Sequence, residues 1–112
     1  MIHVTMIADK NAQMIQLCAE GHADYAPVNE DIVCSAVSIV CFSIEAYFLC
    51  QPRERFSMLN VTSGEGHTGI TAFVNDREEY AIIEEAIKPA RFAFTRLAGE
   101  YPDHVLFEDM TR

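Results

Sequence analysis

The chain has 112 residues, half of them hydrophobic and 22% charged, a composition typical of one globular domain with a single core. Seventeen acidic residues against eight basic ones give a net charge of −9, the wrong sign for binding a nucleic acid backbone. We therefore expect a single domain over residues 1–112 that binds no nucleic acid directly, favours basic partners and gains from covering an apolar face in a homodimer.

The start of the chain predicts a β-hairpin. Residues 1–8 alternate apolar and polar side chains, residues 9–12 (DKNA) have turn chemistry, and residues 13–23 resume a strand pattern that ends near His22. The next segment, DYAPVNE at 24–30, combines a proline and an asparagine with acidic residues, which indicates an exposed loop.

A long helix is predicted from Asp31 to Cys50, where the chain is almost continuously apolar, and Asp31 or Asn29 can cap its first turn. Because Glu45 is the one charged residue between Ile32 and Cys50, a transmembrane span has to be considered. Several serines lower the hydrophobicity of this segment. We therefore expect the helix in a core or a dimer interface and not in a membrane.

Two more strands and a second helix follow. Residues 56–62 and 70–74 predict strands separated by the turn SGEGHTG, which indicates a second hairpin. Asp76, with a glutamate three positions later, predicts the N-terminus of the second helix. Pro89 is expected to kink this helix and Gly99 to end it.

The element order is therefore β-β-α-β-β-α. This order predicts an α+β fold with a four-stranded, mostly antiparallel sheet and two helices packed on it. The aromatic residues Tyr80, Phe92 and Phe94 of the second helix are expected in the core or at a dimer contact.

The four cysteines predict no disulfide framework. Three of them lie on the predicted first helix, where Cys34 and Cys41 are two turns apart, about 10 Å, too far to bridge. The chain has no C-x-x-C pair and starts with a strand-like pattern where a signal peptide would stand. We therefore expect reduced thiols in the cytoplasm.

Cys34 and His22, on either side of the 24–30 loop, have the chemistry of a nucleophile and its base. With Asp31 as N-cap, Cys34 is the third helical residue, where unpaired N–H groups can stabilise a thiolate and receive an oxyanion. An ionised Asp31 opposes the thiolate unless backbone donors occupy its carboxylate. His22 can take the thiol proton and later protonate the leaving amine. Spacing alone leaves open that Cys34 is a buried core thiol and His22 a surface residue.

The stretch GHADYAPVNEDIVCSAVS at 21–38 resembles the signature of the ribosomal-processing cysteine protease family Prp. That signature runs G-H-A, a mobile loop, and then D-I-V-C-A-x-V-S. The residues that match it as they stand are Gly21, His22, Ala23, Asp31, Ile32, Val33, Cys34, Val37 and Ser38. The chain departs from the pattern at Asn29, where many members have glycine, and at Ser35, where alanine is usual; Pro27 stiffens the loop.

The resemblance implies a dimeric bacterial cysteine endopeptidase with His22 and Cys34 as the catalytic dyad and Gly21, Asp31 and Ser38 in supporting roles. Its family role is removal of a short N-terminal extension from large-subunit ribosomal protein twenty-seven, after a pair of aromatic residues. An aromatic cleavage site calls for an apolar pocket beside Cys34. The alternative is a non-catalytic dimeric adaptor that binds a basic ribosomal or ribosome-assembly protein.

Other motifs carry less weight. GEGHTG at 64–69 satisfies G-x-G-x-x-G but lies between two strands, so no helix N-terminus is available for a pyrophosphate. His67 in this turn is a second candidate base, although a solvated turn residue is the simpler interpretation. A zinc site from His22, Cys34 and the other thiols lacks close ligand pairs. We expect neither a cofactor nor a metal.

Overall fold

Five strands form one mixed sheet, with helices packed on one face, in the computed structural model, which describes residues 1–27 and 30–112. In chain order the elements are β1 (Ile2–Asp9), β2 (Met14–Glu20), α1 (Ile32–Leu49), a 3₁₀ turn (Arg53–Arg55), β3 (Phe56–Gly64), β4 (His67–Val74), α2 (Arg77–Ala86), α3 (Lys88–Glu100) and β5 (Val105–Asp109). The strand order across the sheet is β3-β4-β2-β1-β5, and β1 and β5 form the parallel pair. The predicted α+β class and both predicted hairpins are confirmed.

The prediction of a four-stranded sheet was wrong by one strand, because the sheet has five. Strand β5 was missed because it has five residues and its sequence, VLFED, lacks a clean alternation of apolar and polar side chains. It pairs with β1 from the other end of the chain, with Ile2 opposite Val105. Such a long-range pairing leaves no local sequence signal.

The second helix is two helices. Its predicted kink is a break at Ile87, which ends α2 and precedes α3. Pro89 stands in the first turn of α3, where a backbone N–H would have no helical partner, so the ring costs no hydrogen bond. Gly99 lies inside the last turn of α3, which ends one residue later, at Glu100.

The observed strands β2 and β4 also differ from their predicted bounds. β2 ends at Glu20, three residues before the predicted end, because Gly21 takes a positive φ of 101°. β4 begins at His67, three residues before the predicted start, so the turn between β3 and β4 is Glu65 and Gly66.

The core lies between the sheet and α1. Alternate residues of β1, β2 and β4 are buried, and α1 contributes a buried face at spacings of three and four. That face consists of Val33, Val37, Cys41, Ile44 and Phe48. By length and composition α1 could also cross a membrane, and 28% of its 18 residues are buried. Its face away from the core is therefore apolar and uncovered in a single chain.

The aromatic residues of the second helical region separate into two environments. Tyr80 and Phe94 are buried in the core, as expected, and Phe94 packs 5.4 Å from Phe107 of β5 between ring centroids. Phe92, two residues earlier on α3, is 73% exposed. Phe92 and Phe94 are therefore a matched pair, with one exposed and one buried ring on the same helix.

We predict that Phe94→Ala lowers the free energy of unfolding by about 3–5 kcal/mol, because it removes a fully buried ring and leaves a cavity. The control Phe92→Ala should change it by about 0.5 kcal/mol or less. Urea denaturation followed by circular dichroism measures both. Equal losses in the two variants would contradict the assignment of α3's buried face.

Candidate active site

His22 stands two residues beyond the end of β2, on a backbone shaped by Gly21. An added Cβ at Gly21 would lie 2.3 Å from the carbonyl oxygen of Met1, and its φ of 101° disfavours any residue with a side chain. The Gly21 N–H donates to the Gly66 carbonyl oxygen at 3.0 Å. The imidazole of His22 is exposed and lies against Gly66 in the β3–β4 turn.

Asp31 joins the start of α1 to the loop that follows His22. Its Oδ1 accepts the Cys34 N–H at 2.8 Å, and its Oδ2 accepts the N–H groups of Tyr25 at 3.0 Å and Ala26 at 3.4 Å. The residue is 5% exposed. Burial alone would raise the pKa of its carboxyl, but the backbone donors, led by Cys34 and including Val33, outweigh it and lower the pKa.

The prediction that Asp31 caps the helix is confirmed, whereas Asn29, the other candidate cap, lies outside the described residues. Backbone donors occupy the Asp31 carboxylate, which was the condition for a thiolate beside it. The capping bond also changes one expectation. Because the Cys34 N–H donates to Asp31, and the Ser35 N–H to the Asp31 carbonyl at 3.1 Å, neither is free to receive an oxyanion.

Cys34 is the third residue of α1, as predicted, and is partly buried against the core. All four cysteines are free thiols. Burial, and secondarily the charge of Glu45, raises the pKa of Cys41 to about 11. Burial, together with the nearby Glu20, also raises the pKa of Cys18. These two thiols are therefore protonated at neutral pH.

His22 lies two residues beyond the end of β2, and Cys34 lies in the first turn of α1. In the part of the chain that the structure describes, no hydrogen bond joins the imidazole to the thiol. A small cavity of about 70 Å³ lies nearby, and neither residue lines it: its walls include Gly21, the residue before His22, and Ser38, one helical turn after Cys34. Its lining residues are Ile2, Ala19, Gly21, Val37, Ser38, Cys41, Phe42, Gly64, Gly66, His67 and Thr68.

The resemblance calls for an apolar pocket beside Cys34, whereas this cavity begins one helical turn further along α1 and is small. Pockets for small ligands measure roughly 300–1,000 Å³, so 70 Å³ does not admit a large aromatic side chain without movement of its walls. Phe42 on one wall is 53% exposed. Gly21 and Ser38 therefore both line this cavity. Asp31 does not line it and instead bonds to the loop and to the start of α1.

Two residues before β5, Tyr101 and His104, contact the loop, and no sequence pattern indicated this role. His104 Nδ1–H donates to the carbonyl oxygen of Ala23, next to His22, at 2.8 Å. The ring of Tyr25 meets those of Tyr101 and His104 edge-on, with centroids 5.6 and 5.3 Å away. The segment YPDH at 101–104 resembles an ordinary turn, and its contact with the loop depends on the long-range pairing of β5.

The competing motifs take other places in the fold. Gly64 ends β3 and Gly66 lies in the turn before β4, so the G-x-G-x-x-G pattern is followed by a strand and not by a helix N-terminus. His67 begins β4, 3.2 Å from the Thr62 hydroxyl and 3.6 Å from the Glu20 carboxylate, and borders the cavity. Within residues 1–27 and 30–112, no three His, Cys, Asp or Glu side chains are grouped to hold a metal ion.

Comparison with known proteins defines the class. The family model described as cysteine protease Prp matches residues 1–106, nearly the whole chain. This chain therefore belongs to the Prp family of cysteine proteases, which confirms the resemblance of its 21–38 segment. No curated protein matches the chain in sequence.

Solved structures share the fold. An essential ribosomal processing protease Prp from S. aureus, with a covalently linked product peptide, is 19% identical with a TM-score of 0.73, over 97% of this chain and 99% of that one. The same protease with a substrate peptide is 18% identical with a TM-score of 0.64, over 97% and 99%. SMU.848 from Streptococcus mutans is 24% identical with a TM-score of 0.63, over 100% of this chain and 96% of that one.

We predict that Asp31→Ala lowers the free energy of unfolding by about 1–2 kcal/mol at pH 7, because it removes the helix cap. The lowered pKa of Asp31 means that its contribution is present above the ordinary value of 3.8 and is lost as the pH falls through the lower folded value. The difference between wild type and variant should therefore shrink below about pH 3.8.

Urea denaturation at several pH values measures this difference, and Asp103→Ala, which removes an exposed carboxylate, is the matched control. A cost for Asp31→Ala that is the same at pH 7 and pH 3 would contradict the role given to the charged carboxylate.

Proposed function

We propose that this protein is an endopeptidase that removes the N-terminal extension of large-subunit ribosomal protein twenty-seven through the dyad of Cys34 and His22. The observation that carries the proposal is membership of the Prp family, with the signature histidine and cysteine at the two ends of a loop anchored by Asp31. The similar S. aureus protein is described as a ribosomal processing protease, and its structures contain product and substrate peptides.

In the proposed reaction His22 takes the proton of the Cys34 thiol, and the sulfur attacks the carbonyl carbon of the scissile peptide. The C–N bond breaks as His22 gives that proton to the leaving amine, which leaves a thioester on Cys34. Water then adds to the thioester while His22 takes its proton. The C–S bond breaks and releases the carboxylate product and the thiol.

Supporting roles follow from the contacts around the dyad. Asp31 fixes the helix start and the loop backbone, and Gly21 lets the chain turn between β2 and His22. Ser38 lies on the cavity wall one turn from Cys34. The cavity next to Ser38 is the proposed site for an aromatic substrate side chain, and the net charge of −9 favours encounter with a basic ribosomal protein.

The free protein has the features of a resting state. The His22 imidazole lies on Gly66 and is not bonded to Cys34, and the cavity is too small for an aromatic side chain. We propose that substrate binding moves the 24–30 loop and brings the two side chains within hydrogen-bond distance. Part of this loop, Val28 and Asn29, lies outside the described residues.

We predict that the wild-type protein cleaves a peptide spanning the precursor extension, and that Cys34→Ser and His22→Ala each lose about 100-fold or more in kcat/KM. Cys50→Ser, which changes an exposed thiol at the far end of α1, should retain the wild-type value. Mass spectrometry of the products gives the rate and the cleaved bond. Binding of intact peptide without cleavage would instead identify the adaptor.

We also propose a homodimer in which α1 packs against α1 of a second copy. Apolar and small residues recur on its exposed face at alternating spacings of three and four, the pattern of a two-helix seam. We call this face the α1 stripe, and it consists of Ile32, Ser35, Ile39, Phe42, Ala46 and Leu49. Exposure of an apolar face of this length to water is unfavourable. A second copy related by a two-fold axis would cover it with its own α1 stripe.

We predict that Ile39→Glu shifts the protein toward monomer, because it places a charge in the centre of the α1 stripe. Ile82→Glu is the matched control, since Ile82 on α2 is 62% exposed and Ile39 is 64% exposed. Light scattering after size-exclusion chromatography measures the mass. A dimer that survives Ile39→Glu unchanged would place the interface elsewhere.

A further inference from the structure

The turn between β3 and β4 contacts the backbone next to His22, although the family signature does not include it. Gly66 in this turn has a positive φ of 70°, and its carbonyl oxygen accepts the Gly21 N–H at 3.0 Å. The residue immediately before His22 is therefore hydrogen-bonded to the tip of a rigid hairpin. Gly21 and Gly66 both border the cavity beside Ser38.

The His22 ring occupies the space that a side chain at position 66 would fill. A Cβ on Gly66 would lie 2.9 Å from Nε2 and 3.2 Å from Cε1 of His22, closer than the 3.5–4.0 Å typical of carbon contacts. The contact involves the far end of an exposed side chain and no backbone atom of another element. An added methyl group would therefore displace the imidazole, and the positive φ of Gly66 would add backbone strain for most residues.

We propose that Gly66 is a positioning residue for His22: its missing side chain and its bond to Gly21 set where the imidazole stands beside the cavity. The catalytic consequence rests on the proposed function, whereas the placement of the ring does not. This role also accounts for one glycine of the G-x-G-x-x-G pattern at 64–69, which binds no nucleotide in our interpretation.

Gly99, in the last turn of α3, provides a matched control away from the cavity. Its φ is not positive, and a Cβ there would meet no atom within 4 Å. Gly99→Ala therefore adds the same methyl group without touching His22 or the cavity. A second variant, Gly66→Asn, adds a Cβ at the critical position but tolerates a positive φ better than alanine does, which separates ring displacement from backbone strain.

The experiment measures kcat and KM on the precursor peptide across pH, together with the NMR titration of the His22 Cε1 proton. We expect Gly66→Ala and Gly66→Asn to lower kcat by about 10-fold to 100-fold, since a misplacement of about 1 Å can cost that much. The KM should change little, and the His22 resonance and the pH profile of kcat should shift. Gly99→Ala should match wild type in all of these.

Two results would overturn the inference. One is that both Gly66 variants retain the wild-type kcat and His22 resonance. The other is that Gly66→Ala alone loses activity, which would assign the effect to backbone strain. If the wild-type protein does not cleave the peptide, the proposed function fails, and the NMR comparison of Gly66→Ala with Gly99→Ala still decides the placement of the ring.

Discussion

The buried carboxylate of Asp31 holds together the two segments on which the proposed chemistry depends. One oxygen accepts the N–H of Cys34 and so begins α1, and the other accepts N–H groups of Tyr25 and Ala26 in the loop after His22. Its lowered pKa shows that the charged form is the stable one in the fold. A single charged group thus provides the helix cap and the loop anchor, and its own charge is compensated by backbone donors.

Around this anchor, three elements far apart in sequence determine where His22 stands. Gly21 turns the chain out of β2, the β3–β4 turn receives both the Gly21 N–H and the imidazole, and His104 binds the carbonyl oxygen of Ala23. The backbone on both sides of the histidine is therefore fixed by hydrogen bonds to other elements. The imidazole itself is exposed and lies on Gly66 with no hydrogen bond to Cys34, which is consistent with a site that substrate completes.

Much of this could be predicted from local sequence. The alternating pattern of β1 and β2, the apolar run of α1 and the capping role of Asp31 all depend on neighbouring residues. The placement of Cys34 on the first helical turn could be predicted in the same way. The signature at 21–38 then identified the family, which periodicity and spacing alone could not do.

The parts that were missed depend on contacts between distant residues. Strand β5 is defined by its pairing with β1, and the contact of His104 with the loop follows from that pairing. Gly66 meets His22 because β4 lies next to β2, with His67 opposite Glu20. The helix cap narrows the oxyanion expectation for a local reason: Asp31 accepts the Cys34 N–H, so this first-turn donor is not free for the chemistry.

The most direct test of the central claim is the rate at which a chloromethyl ketone built on the precursor peptide alkylates Cys34 as a function of pH, resolved by peptide mass spectrometry, because this reagent occupies the site that substrate completes. The exposed Cys50 serves as the internal reference in the same molecule. If His22 and Cys34 form a dyad, the pH dependence of Cys34 should differ from that of Cys50 and should change in His22→Ala, while Cys50 does not change. Identical pH profiles of Cys34 with and without His22 would contradict the account.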